Sequence, residues 1–354
     1  MRRSQLKKVG KRVLQISLLV LVVVMVLNYV RGNWDKLATY QFQLNLWLLA
    51  LSFLGFLLQE LSYGLIWRAV LLRLGSRLDL RVSLRIYLAS EFVRYIPGNV
   101  WHVLTRILWV SKYGVARPVA FASMTVELIT KLTAGALVFA LSLLFWSDAT
   151  TLFRGTPVLV GLGVCLIVGL LAMLYPPILT GLLNSALRLV KKEPVRLSLR
   201  YRDILLVTLA WCVSWCVAGC AFYVLLLAIF PAVPLSALPV CIGIYALAWD
   251  IGFISFLTPS GLGFRESAVG LLFVLSLPTV PTTVVVIIAA LSRIVSTVAE
   301  LVCVSIAYAS GGSQIPEVQQ EHISSSVGET EAEAKTLAAT DGEAPVTMQG
   351  VYDQ

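Results

Sequence analysis

The chain is poor in charge. Charged residues make up 13% of its 354 positions and hydrophobic residues 58%, against roughly 25% charged in an ordinary soluble domain. Mean hydropathy is +0.86. A soluble globule of this length has too little interior to hide so much apolar side chain, so a soluble enzyme, a nucleic-acid binder and a disordered protein are excluded. Histidine is nearly absent: there are two, His102 and His322. A histidine-rich metal site is therefore not expected, and neither a metal nor a cofactor is assigned. The six cysteines all lie in apolar runs, where cysteine behaves as a small hydrophobe, so no disulfide scaffold is expected. Cys212, Cys216 and Cys220 share one helix face with no histidine or carboxylate beside them, which favours packing over metal binding. There is no GxxxxGK[ST] phosphate loop. Gly261-Leu262-Gly263 lacks the strand of a dinucleotide site.

What remains is an all-α polytopic membrane protein. Acids are scarce over residues 1–310, which hold 27 bases and 11 acids, a balance of +16. Residues 311–354 hold eight acids and one base, Lys335. Basic excess beside hydrophobic spans marks cytoplasmic loops facing anionic lipid headgroups rather than nucleic acid. Residues 1–12 form a basic cytoplasmic N-terminus, and 13–30 an uncleaved first span. The acidic tail 311–354 has too little apolar surface to order itself and is expected to be disordered and cytoplasmic.

Between these ends the apolar runs predict about six full spans: 13–30, 44–72, 117–146, 157–174, 203–230 and 282–309. Arg73, Arg77, Arg81 and Arg85 follow one of them, and Arg188 to Arg202 another, as cytoplasmic loops. Two further segments, 82–113 and 236–277, are interrupted at Pro97-Gly98 and Pro259. They read as re-entrant or broken helical hairpins buried among the spans. Each hairpin lies between two spans, which makes two similar blocks. The charge bias sends 44–72 and 203–230 in opposite directions, so one reading is an inverted repeat with a site where the breaks meet. The other is that Pro-Gly breaks serve packing alone.

Ionisable residues near the bilayer centre cost about 2.5–3.5 kcal/mol each on insertion scales and persist where paired or wetted. Those expected to balance charge or couple movement are Glu127, Lys131, Asp250, Glu266, Arg293 and Glu300; Glu91 and Arg94 are similarly placed. Glu127 and Lys131 stand one turn apart and are expected to neutralise each other. Arg106 and Arg265 each follow a proline break near a helix start. Free N–H groups there, with an arginine fork, suit a phosphate. Gly98, His102, Arg106, Gly261, Gly263 and Arg265 are accordingly the candidate substrate-binding residues, set against purely structural ion pairs such as Arg265 with Asp250 or Glu300. No catalytic residue is assigned. Most tryptophans, among them Trp34, Trp47 and Trp146, are read as interfacial belts.

Pro97-Gly98-Asn99-Val100-Trp101-His102-Val103-Leu104-Thr105-Arg106 resembles the first motif of the lysylphosphatidylglycerol synthase membrane-domain family, and Pro259-Ser260-Gly261-Leu262-Gly263-Phe264-Arg265-Glu266 its second. The resemblance covers about residues 13–310. Gly-Glu often stands in the family where Trp101-His102 stand here. The resemblance implies a flippase-like domain in the bacterial plasma membrane, similar to the membrane half of the multiple peptide resistance factors and without synthase activity. Its substrate would be an anionic or aminoacylated phospholipid or a related lipid-linked molecule, and a homo-oligomer stays open. Two other readings remain: an intramembrane lipid-modifying enzyme with His102 as general base, and a non-transporting partner of an envelope or glycolipid pathway.

Overall fold

The computed structural model describes residue 31 and residues 44–91, 93, 101–146, 157–189, 199–255, 261 and 263–309. The basic N-terminus, the first span 13–30, Arg94, the break at Pro97-Gly98, Pro259 and the acidic tail lie outside them. The described residues are helical and contain no strand. In chain order the helices are α1 (Leu46–Arg73), α2 (Leu80–Glu91), α3 (Trp101–Ser111), α4 (Arg117–Ser142), α5 (Pro157–Met173), α6 (Pro176–Leu189), α7 (Tyr201–Ile229), α8 (Leu238–Ile254), α9 (Phe264–Ser276) and α10 (Thr282–Ala309).

Local chemistry sets several of these boundaries. Asn45 caps α1, its side-chain oxygen accepting from the N–H groups of Trp47 and Leu48 at 3.0 and 3.2 Å. Gly75 ends the same helix. It takes a φ of +82°, and Gly75 N–H and Ser76 N–H reach back to the carbonyls of Leu72 and Leu71, a Schellman closure that a side chain would strain. Proline stands in the first turn of α4 and of α8, where its missing N–H costs no helix bond. Asp203, at the third position of α7, accepts from Arg200 N–H at 3.2 Å and suits the positive end of that helix.

Five elements are long and apolar enough to cross a membrane: α1, α4 with its short 3-10 extension to Phe145, α7, α10, and α8 with the 3-10 turn that precedes it from Leu235. The last is one arm of the segment expected as a re-entrant or broken hairpin, and it is long enough by itself to cross. Helices α5 and α6 depart from expectation in part. Tyr175-Pro176-Pro177 does end α5, but Pro176 then starts a new helix, and the pair is bent by 89°.

The two blocks pack alike. Helices α1–α4 form the first and α7–α10 the second. Exchanging one set for the other preserves the neighbours: α4 lies on α7 and α8 as α10 lies on α1 and α2, and α2–α3 matches α8–α9. The first helices of the two blocks, α1 and α7, have the most extensive contact and run antiparallel. Asn45 N–H meets Ala228 O, Ser52 Oγ meets Ala221 O, Ser62 Oγ meets Ser214 Oγ, and Arg73 meets Asp203, so one number falls as the other rises. Two blocks of like packing whose first helices cross in opposite senses form an inverted repeat.

Small residues permit this packing. A Cβ at Gly55 would lie 2.6 Å from Ala221 Cβ, and one at Gly219 would lie 2.4 Å from Ile242 Cα on α8. Membrane helices lack a hydrophobic drive between them and gain stability from such close approach. Gly219→Ala is expected to cost about 1–3 kcal/mol through overpacking against backbone that cannot yield; an unchanged thermal unfolding temperature in detergent would count against the close contact. The opposite face of α7 meets lipid: Cys216 and Cys220 are exposed, as are Leu209 and Val213.

Candidate functional site

Several of the buried charges lie near the middles of the spans. Glu60 and Tyr63 are near the centre of α1, Lys131 near that of α4, Trp215 near that of α7, and Arg293 and Glu300 flank that of α10. Three groupings result.

The first surrounds Arg106 of α3, which is 1% exposed. Its three nitrogens are all engaged: Nε donates to Ser90 Oγ at 2.9 Å, Nη1 to Glu127 Oε2 at 2.8 Å, and Nη2 to Glu91. Its guanidinium carbon lies 3.8 Å from the Tyr87 ring centre, and Tyr87 Oη donates to Glu127 Oε1 at 2.8 Å. Glu127 thus accepts hydrogen bonds from α3 and α2. His102, one turn before Arg106, is buried on the same side of α3.

The second is an aromatic box around Lys131. Its ammonium lies 3.7 Å from the Tyr63 ring centre, 3.9 Å from Trp249, 5.0 Å from Trp211 and 6.0 Å from Trp215. Ring faces attract a cation electrostatically, by about 2 kcal/mol or more when desolvated. Trp215 Nε1 also donates to the Lys131 carbonyl at 3.2 Å, which ties α7 to α4. The interior tryptophans depart from the belt reading. Trp67, Trp211 and Trp215 are fully buried and Trp146 is buried too, while Trp47 at the start of α1 is 86% exposed.

The third is a polar crevice between α1, α8, α9 and α10. Gln59, Glu60, Tyr245, Trp249, Arg265 and Arg293 line it. Its cavity volume is about 10 Å³, room for a single water. Arg265 is 7% exposed and stands 4.8 Å from the Tyr245 ring centre. Its Nη2 has no hydrogen-bond partner among the described residues, and none of their carboxylates is within ion-pair distance, Asp250 and Glu300 included. Next to it, Glu266 accepts from Gly263 N–H at 2.7 Å and approaches Arg293 at 3.8 Å. Gly261 holds the turn before α9. Its φ is +69°, and a Cβ there would strike Gly252 O at 2.2 Å, so the backbone of that turn lies directly on α8.

Arg265, Arg293 and Glu300 therefore share one crevice, with Glu266 at its edge. Arg106 and Glu127 lie apart from it, behind the Lys131 box, whose Tyr63 and Trp249 walls are also crevice walls. Gly98 lies outside the described residues. Residues 13–303 match the family described as the lysylphosphatidylglycerol synthase TM region. The chain belongs to that family. No curated protein matches it. In this member of the lysylphosphatidylglycerol synthase TM family both motif arginines are buried, yet only the second keeps a donor to spare.

Sequence reasoning missed the aromatic box, Gln59 and Tyr245. The available signal was a polar or aromatic residue at the centre of a span, where lipid contact alone would favour aliphatic side chains.

Proposed function

We propose that the chain is a translocase, not an enzyme, which moves a phosphate-bearing lipid across the bacterial plasma membrane. The substrate class is an anionic or aminoacylated phospholipid or a related lipid-linked molecule. One observation carries the reading: a buried guanidinium with an unsatisfied donor faces a polar crevice at mid-span. An arginine without a carboxylate in low dielectric is costly unless an anion visits it. Arg265 would take the phosphate by its planar fork, while acyl chains remain in the bilayer.

The crevice in its present form admits water and not a headgroup, so loading requires α9 and α10 to part from α1 and α8. The Arg293–Glu266 contact is long, at 3.8 Å. Inverted repeats give such parting a natural partner state, in which the other block opens. The basic segments 73–85 and 188–202 would hold the cytoplasmic face against anionic lipid, with both termini on that side.

Reconstitution into vesicles tests this. Labelled phosphatidylglycerol or its aminoacylated derivative should reach the opposite leaflet faster than in protein-free vesicles. Equal rates with anionic, aminoacylated and zwitterionic lipids alike, in a sample shown to be folded, would sink the proposal.

A further inference from the structure

Among the described residues the buried charged groups are six acids (Glu60, Glu91, Glu127, Asp250, Glu266 and Glu300) and four bases (Arg106, Lys131, Arg265 and Arg293). A buried acid with no base against it is unfavourable as a charge deep in a bilayer. The grouping around Arg106 and Lys131 is already balanced by Glu91 and Glu127, with no need of a further anion.

Asp250 is the acid with least to hold a charge. It is 4% exposed, and its Oδ1 has no hydrogen-bond partner among the described residues. The carboxyl lies against the backbone of α4, where a Cβ at Gly135 would be 2.3 Å from Oδ2. A buried carboxylate with neither hydrogen bond nor ion pair costs several kcal/mol on any scale. The neighbouring elements supply few charges. From α4 comes Lys131, with Glu127 a turn further away and committed to Arg106. From α9 comes Arg265, whose Cβ packs on Gly252. From α7 come the Trp211 and Trp215 rings and no charged side chain in the packed stretch. Glu60 of α1 and Arg293 and Glu300 of α10 lie across the crevice wall.

We propose that Asp250 is a proton-binding site, neutral in this conformation, whose loss of a proton draws the Lys131 ammonium off the Tyr63 and Trp249 rings. The O–H bond of the carboxyl breaks, the proton leaves to water, and Lys131 stays protonated and pairs with the new carboxylate. No other reactant is involved. Because Tyr63 and Trp249 also wall the Arg265 crevice, the movement of Lys131 reaches the proposed lipid site. A coupling role rests on the translocase reading; proton binding itself does not.

Infrared spectroscopy of the full chain in phosphatidylcholine vesicles, with aspartate carboxyls labelled by carbon-13, decides the matter. A protonated-aspartate carbonyl band is expected at neutral pH. It should vanish in one transition as pH rises and be missing from Asp250→Asn. The other described aspartates, Asp79 and Asp203, are exposed or half-exposed. No such band in the wild type overturns the proposal, as does a band that survives Asp250→Asn. Should that variant not fold, Asp250→Glu removes the labelled group while keeping an acid, and the wild-type titration stands by itself. Tryptophan emission should change across the same transition in the wild type and not in Lys131→Met; an identical change in both would overturn the lysine step. Vesicles that move lipid without the band reject the proton site alone, and a band without lipid movement rejects the translocase reading alone.

Discussion

Arg265→Ala is expected to slow transbilayer lipid movement by about 10- to 100-fold, the worth of one charge-assisted hydrogen bond of about 1.5–3 kcal/mol. The protein should still fold. The described residues place no carboxylate against Arg265 that would be stranded by its removal, and its Nη2 makes no hydrogen bond to lose. What disappears is the contact with Tyr245, a stacking worth about 0.5–2 kcal/mol and a side-chain hydrogen bond. Initial rates in vesicles, read beside thermal unfolding in detergent, separate the two effects. Arg265→Lys should fall between wild type and alanine, because lysine keeps the charge and loses the two-pronged geometry. A wild-type rate in Arg265→Ala would remove Arg265 from the substrate path. A rate lost together with the fold would make it structural.

The sequence made the helices legible because hydrophobic run length and charge placement are one-dimensional signals. Spans 44–72, 117–146, 203–230 and 282–309 match α1, α4, α7 and α10 closely. Pro176 misled in part: a proline after an apolar run reads as a stop, yet the first turn of a helix also tolerates it, and α6 begins there. Partner choice was not legible. Glu127 and Lys131, one turn apart, look like a pair in sequence, and a local pair is worth about 0.2–0.5 kcal/mol. The sequence does not show that Arg106 brings Glu127 a charged donor from another helix, or that Lys131 meets rings from α1, α7 and α8, three elements far apart in the chain. No periodicity within one segment encodes such a box. The two motif arginines also looked equivalent, because sequence shows which residues follow a break and not which carboxylates face them.

That difference makes Arg106→Ala the most damaging single change to stability, with an expected loss of about 3–5 kcal/mol. The substitution strands Glu91 and Glu127, both buried, against a total stability of about 5–15 kcal/mol for a typical domain. Tyr87 would still donate to Glu127, but Glu91 would lose its bond from α3. The signature is a lower unfolding temperature and a poor yield of monodisperse protein. Neutralising the stranded acids should reverse much of the loss. Arg106→Met combined with Glu91→Gln and Glu127→Gln removes the buried charges together, and such replacements are often neutral or stabilising. If the triple variant recovers the fold and still moves lipid, Arg106 holds α2, α3 and α4 together and takes no part in binding. If Arg106→Ala instead unfolds at the wild-type temperature and only transport falls, the closed triad of this conformation must open during the cycle, and the first block then carries a second phosphate site related to the crevice by the inverted repeat.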